Sequence, residues 1–453
     1  MIEKIMDIVE KYILPIAVKI GNNKFLIALR DSFIGTMPVI MTGSIAVLLN
    51  AFFVDMPNQF GWYQITESFQ WLININDLVF SGTIAIASLF FIYALGVNVA
   101  KIYKVDQMSS GLVALAGFII SIGNSLTKTV ELSPELASKL AAISEVDGLS
   151  LVDNNLMITL GGLLPGGQIN SNGYFTAIII GFFTSLIFSY FMNKDWTIKL
   201  PDSVPPAISK PFLSIIPGFI ALYSVGIFTS IVASLTDGLF IDWIFDVLQA
   251  PLLGMSQNFF AVLLMSVLTQ LFWFFGIHGG NLMAPIMEGV FGVAGLANME
   301  ASQLGKEIPY IWTSVSFGSF VWYATLGLLI AIFWKSRRNK HYREVAKLGI
   351  VPVMFNIGEP VMYGLPTVLN PILFVPFLLS PAVMTTIAYF ATKFGLVAPV
   401  TQNVTWVMPP VLYGFFATGF DWRAIILSLI NIAVATMIYL PFVMLAEREE
   451  VVD

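Results

Sequence analysis

The stretch IPYIWTSVSFGSFVWYATLGLLIAIFW, residues 308–334, runs 27 residues without an Asp, Glu, Lys or Arg, and KSRRNKHYREVAK, residues 335–347, follows at once. A bilayer core of ~30 Å needs about 20 apolar residues of helix, so 308–334 is long enough to cross. The next segment carries Lys335, Arg337, Arg338, Lys340, Arg343 and Lys347 against Glu344 alone. Short loops rich in Lys and Arg stay in the cytoplasm, so this crossing ends inside the cell.

Nine further windows of 21 or more residues are equally free of charge: 32–54, 78–100, 107–127, 154–193, 211–236, 247–287, 360–392, 394–420 and 424–446. Hydrophobic residues make up 57% of the 453 and charged residues 11%, against ~45–50% and ~25% in soluble domains. A water-soluble globule is excluded. So is a β-barrel, whose strands alternate apolar and polar residues over about 10 positions. The expected fold is an all-α polytopic membrane protein of about ten transmembrane helices, with re-entrant hairpins and interfacial amphipathic helices. One such helix is expected at the N-terminus, where Ile5, Val9, Tyr12, Ile13 and Ile16 recur at helical spacing among charged residues, a pattern that also excludes a cleavable signal peptide.

Charge orients the first five crossings. Lys4, Lys11, Lys19, Lys24 and Arg30 place the N-terminus in the cytoplasm, and Asp55, Glu67 and Asp77, with no basic residue over 54–78, place that loop outside. Lys101 and Lys104 return inside, the acidic segment 126–153 forms a large external loop, and Lys194, Lys199 and Lys210 precede a fifth span that ends at the acidic Asp237, Asp242 and Asp246. Two domains are expected, a five-span half over 1–236 and a second half over 237–453.

The second half is less regular. Residues 281–307 are Gly-rich and interrupted by Pro285 and Glu288, and prolines punctuate 348–366 and 396–416. The chain is expected to return there through short or re-entrant pieces. Non-helical backbone at membrane depth persists only where protein or a polar cavity covers it, so such interruptions point to a transport site. The stretch PDSVPPAISKP, residues 201–211, reads as too Pro-rich for helix, hence a stiff elbow or a docking surface.

Candidate site residues fall in the interrupted segments. His278 lies in LFWFFGIHGGN (271–281), where glycines on both sides allow close backbone approach to a ligand; His341 sits in the basic loop and reads as solvated. Glu359 lies in NIGEPVMYGLP (356–366) between two long apolar runs, and an ionisable group in a membrane segment is costly enough that function is its default reading. Its carboxylate suits gripping a hydroxyl or accepting its proton. Glu288 is divided between function and hairpin anchoring. Trp273 and Trp406, the latter in TQNVTW (401–406), offer flat indoles beside Asn, His and Glu, a platform for a sugar ring. Asn281 and Asn356 close and open the two central motifs, and Asn172 and Gly173 open the fourth span after GGLLPGGQINSNG (161–173). No GxxxxGK[ST] loop, HExxH motif or Arg-rich span occurs, and the chain has no cysteine. ATP-driven pumping, a metal, a cofactor and a nucleic-acid partner are not expected.

GIHGG around His278, NIGEPVMYGLP around Glu359 and PDSVPPAISKPF before the fifth span together resemble the membrane subunit, enzyme IIC, of the lactose, cellobiose and N,N'-diacetylchitobiose branch of the bacterial phosphotransferase system. The resemblance covers nearly the whole chain. It implies a homodimer in the bacterial plasma membrane whose first five spans form the dimer contact. The remaining spans and two re-entrant hairpins hold a β-linked disaccharide, cellobiose or diacetylchitobiose. It implies that His278 and Glu359 hold the 6-hydroxyl to be phosphorylated, that Trp273, Trp406 and Asn403 contact the rings, and that Gly173 allows close approach. The donor in such proteins is a phosphocysteine on enzyme IIB, recharged by IIA. A chain without cysteine cannot carry that group, so the resemblance implies a separate IIB and a transport subunit with no phosphorylated residue of its own. The alternatives are a proton- or sodium-coupled secondary sugar transporter with Glu359 as the ion site, and an intramembrane hydrolase, for which no nucleophile accompanies His278 and Glu359.

Overall fold

A computed structural model describes residues 21–449 except 56, 59, 60, 134, 138–146, 153, 202, 203, 237, 337, 338, 366 and 369, together with Pro15 and Lys19. The amphipathic helix expected around Ile5 to Ile16 lies outside the described residues.

The helices are α1 (Lys24–Asn50), α2 (Gln70–Ser81), α3 (Ala87–Tyr103), α4 (Gln107–Ser121), α5 (Tyr174–Asn193), α6 (Pro206–Thr236), α7 (Phe259–Phe274), α8 (Gly279–Ile286), α9 (Val293–Gln303), α10 (Ser314–Phe320), α11 (Ala324–Lys335), α12 (Lys340–Met354), α13 (Glu359–Gly364), α14 (Pro371–Lys393), α15 (Pro410–Ala417) and α16 (Trp422–Glu449). Among the described residues eight helical runs are long and apolar enough to cross a bilayer, and Phe240–Ser256 and Phe259–Phe274 form an apolar pair bent by 74° at their junction, the geometry of a broken span or a re-entrant loop. The 15-residue apolar α4 is the shortest candidate crossing. The polytopic helical fold read from the windows is the fold observed.

The chain divides into two compact units, one combining the residues up to Ile84 with Pro251 onward, the other Ala85–Ala250. In the second unit α3, α4, α5 and α6 pack around small residues: Ser110 of α4 donates to the Gly96 carbonyl of α3 at 2.9 Å. Without a hydrophobic force between helices in lipid, close approach and buried hydrogen bonds hold such bundles together. In the first unit α7 and α14 are joined by Thr385 donating to Ser266 at 2.9 Å. Buried Asn431 of α16 donates to the Phe320 carbonyl at 2.8 Å, at the break between α10 and α11. A carbonyl freed at a helix break inside the bilayer needs a partner, and Asn431 supplies it.

Three local expectations are corrected. The segment 126–153, expected as a large loop, is not loop alone: β1 (Ser125–Glu131), β2 (Leu149–Val152) and β3 (Asn155–Gly161) form an antiparallel sheet in the order β1-β3-β2, with Ser125 opposite Gly161 and Leu149 opposite Ile158. Residues 206–211 are helical despite their prolines. Pro206 is the first residue of α6, where a missing N–H leaves no helical bond unmade and a fixed φ favours entry, and Pro211 is carried inside the helix. Residues 279–303 run as one helical stretch through Pro285, because a π-helical turn at Met287–Gly292 absorbs the irregularity. The other two interruptions occur as expected: helix stops at Met354 and restarts at Glu359, and 397–409 is non-helical.

Candidate functional site

Helix α7 ends in WFFGIHGG. Gly276 has φ +78°, a left-handed conformation that suits glycine, and its N–H donates to the Trp273 carbonyl at 3.0 Å while the Ile277 N–H donates to Phe272 at 3.1 Å. This paired closure ends the helix and turns the chain back on itself. Two residues later His278 caps α8, its Nδ1 accepting the Asn281 N–H at 3.0 Å. An added Cβ on Gly279 would overlap the Thr269 carbonyl and come within 2.9 Å of Trp273 Cδ1. The missing side chain is what lets α8 start against α7. The result is a Trp273 ring 4.1 Å from the His278 ring.

Helix α12 ends the same way. Asn356 has φ +61°, its N–H donates to Val353 at 3.0 Å, and the Ile357 N–H donates to Pro352 at 3.0 Å. Three residues on, Glu359 is the first residue of α13. The Asn356 side-chain amide donates to the carbonyls of Trp406 at 3.0 Å and Met408 at 3.4 Å, tying this turn to the non-helical stretch before α15. That stretch is itself clamped. Buried Asn298 donates to Val400 at 2.9 Å and to Tyr310 at 2.7 Å, and Asp421 accepts from the Ala398 N–H at 2.8 Å. Burial raises the Asp421 pKa, but hydrogen bonds from the Arg423 guanidinium and from two backbone N–H groups outweigh it and hold the carboxyl below its usual range.

The two turns bring His278 and Glu359 together, with Nε2 3.9 Å from Oε1 and both side chains a little under half exposed. Because Nδ1 accepts a hydrogen bond, the neutral ring carries its proton on Nε2, facing the carboxylate. The gap is too long for a direct hydrogen bond. It fits one hydroxyl oxygen at about 2.8 Å from each atom, accepting from Nε2–H and donating to the carboxylate.

Of the remaining candidates, Asn281 is exposed beside His278, and the two line one cavity. Trp406 is exposed and held by its carbonyl to Asn356. Asn403 is partly exposed three residues away from it. Asn172 and Gly173 belong to the other unit: Asn172 donates to the Gly167 carbonyl at 3.3 Å, and Gly173 is buried where a Cβ would overlap the Gln168 carbonyl. His341, read as merely solvated, has its Nε2 2.9 Å from the Gly364 carbonyl at the end of α13. Asn298 escaped the sequence reading altogether, since an Asn in an apolar run gives no sign of the two carbonyls it serves.

Comparison with known proteins identifies the family. The family described as phosphotransferase system, EIIC matches residues 30–381. The chain is 36% identical to the cellobiose-specific EIIC component of Lactococcus lactis subsp. lactis, with 97% of each chain covered. It is 31% identical to the oligo-beta-mannoside-specific EIIC component of Bacillus subtilis, covering 96% of this chain and 92% of that one. Among solved structures, the transporter ChbC, the IIC component from the N,N'-diacetylchitobiose-specific phosphotransferase system, matches with a TM-score of 0.87 at 28% identity over 98% of both chains. A helical polytopic fold, a hydroxyl-sized gap between an imidazole and a carboxylate, and a whole-length match in sequence and structure converge: the chain belongs to the phosphotransferase system EIIC family and is a multi-pass sugar permease of such a system.

Proposed function

We propose that the permease imports a β-linked disaccharide of the cellobiose or diacetylchitobiose type and holds its 6-hydroxyl between His278 and Glu359 for phosphorylation on the cytoplasmic side. The observation that carries this reading is the 3.9 Å separation of Nε2 and Oε1. A hydroxyl bridging it accepts from the imidazole and donates to the carboxylate, which draws electron density onto the oxygen that attacks phosphorus. Trp273, beside the imidazole, and Trp406, exposed on its clamped turn, supply flat faces for the sugar rings; Asn281 and Asn403 supply polar contacts. Asn356 contributes by holding Trp406.

The phosphoryl donor is a phosphocysteine on a separate IIB, since this chain has no cysteine. The N-terminus faces the cytoplasm, in keeping with the basic residues there. The protein works as a homodimer in the bacterial plasma membrane, with 1–236 as the dimerisation half and 237–453 as the substrate half. In support, α6 leaves an apolar stripe through Ile215, Phe219, Tyr223, Ile227, Ile231 and Leu235 uncovered within the chain.

Vesicles containing only this protein should equilibrate radiolabelled disaccharide without concentrating it, even under an imposed proton gradient. Adding phosphorylated IIB on the cytoplasmic side should convert the sugar to its 6-phosphate. Concentrated, unmodified sugar under the gradient alone would mean ion-coupled transport and sink the reading.

A further inference from the structure

Beside His278 opens a cavity of about 270 Å³ whose walls include Gly21, Asn22, Arg30, His278, Asn281 and Pro285. Arg30 is the one permanently charged side chain on its walls. It lies two turns into α1 and is mostly buried, its Nε and Nη2 donating to Asp31 Oδ1 at 2.9 and 2.7 Å. Asp31 is not part of the cavity wall. A guanidinium has five N–H donors, so three remain. Among the described residues no acceptor takes them. His278, Asn281, Leu282 and Pro285, from the cap and body of α8, complete the wall.

The proposed chemistry calls for a cation. A thiophosphate dianion must approach a hydroxyl already held by the Glu359 carboxylate, and an imidazole that donates from Nε2 in its neutral form adds no charge to offset the repulsion. Phosphoryl transfer depends chiefly on positioning and on cations that stabilise the charge of the transferring group, and an arginine fork matches phosphate oxygens in pairs. We propose that this cavity receives the phosphoryl group and that Arg30 binds it during transfer. The proposal rests on the His278–Glu359 reading of the site. In the step, the P–S bond of the IIB phosphocysteine breaks and leaves a thiolate. A P–O bond forms to the sugar 6-oxygen, and the hydroxyl proton passes to Glu359. The same grip serves the phosphate as it stands on the donor and as it stands on the product.

The test uses full-length protein in vesicles, comparing wild type with Arg30→Gln, Arg30→Lys and Asp31→Asn. Transfer from phosphorylated IIB is measured at saturating disaccharide, alongside equilibrium binding of disaccharide and of disaccharide 6-phosphate. Arg30→Gln should lower transfer roughly 10²–10³-fold, the scale of removing a transition-state cation, while disaccharide binding stays within about threefold. Arg30→Lys should recover part of the loss, and Asp31→Asn, which breaks the ion pair but keeps the cation, should retain transfer. If 6-phosphate binding falls with transfer, Arg30 holds product as well as donor; if only transfer falls, it holds the donor alone. Equal transfer by Arg30→Gln and wild type overturns the proposal. So does a loss in Asp31→Asn as deep as in Arg30→Gln, because the pair would then be structural. Wild type that binds disaccharide yet accepts nothing from phosphorylated IIB overturns the functional reading itself, a result the variants cannot produce.

Discussion

The helices α3, α4 and α5 of the second unit and the interruptions of the first, at 275–278, 355–358 and 397–409, face the same problem of placing a backbone in hydrocarbon, and they solve it differently. In the regular helices the backbone satisfies itself, so side chains need only fit. Buried Thr176, Ser185 and Ser189 of α5 have hydroxyl oxygens with no hydrogen-bond partner among the described residues. In the broken segments each interruption frees carbonyls or N–H groups, and named polar side chains answer them: Asn298 for Val400 and Tyr310, Asn356 for Trp406 and Met408, Asp421 for Ala398. A membrane protein that stops a helix must bring polar partners to the spot. Once assembled, those partners and the turns they hold frame the candidate site.

Substitutions in the two regions should therefore differ in kind. The largest effect is expected at Glu359. Glu359→Gln preserves shape while removing a charged acceptor, and losing a charge-assisted hydrogen bond in a partly desolvated site should weaken disaccharide binding about 10–150-fold. Radiolabelled binding to purified protein checks it, and near-normal affinity with intact transfer would remove Glu359 from the site. A smaller loss is expected from Gly279→Ala. The new methyl must push α8 off the Thr269 carbonyl and the Trp273 ring, and overpacking of this sort costs about 1–3 kcal/mol. Because the strain falls on the His278 turn, transfer should suffer along with thermal stability; a fall in melting temperature with unchanged transfer would separate the turn from the chemistry. The smallest effect is expected in the regular region. Ser185→Ala removes a buried hydroxyl that has no partner, so stability should stay within about 0.5 kcal/mol of wild type or rise. A clear destabilisation in thermal unfolding would show that the regular helices depend on polar contacts as the broken ones do.

The same contrast explains what the sequence makes legible. A crossing announces itself by lacking charge over 20 residues, so most of the windows hold a long helix, while 279–303, with Glu288 and Glu300 inside it, crosses without such a window. The site is legible at its turns, since Gly276 and Asn356, the residues that close α7 and α12 in left-handed conformations, stand two and three residues ahead of His278 and Glu359. What is not legible are pairings between distant parts of the chain. Nothing near Asn298 signals Val400. The basic charge of Arg30 serves equally well as a topology signal, which hides its place on the wall beside His278. The sheet at 125–161 is obscured because its strands are short and largely exposed, so little periodic burial marks them.

The π-helical turn at Met287–Gly292 bears on how this family can change length. A π-turn holds one residue more than the α-turn it replaces. Deleting a single residue there lets the chain close as ordinary α-helix, and the residues before and after it, from His278 to Gln303, keep their facing. The same deletion in α14 would rotate everything beyond it by about 100° on the helix axis, turning buried Met384 and Thr385 away from their neighbours. Relatives one residue shorter should therefore lose it at 287–292, where insertion and deletion leave the aim of the sugar site intact.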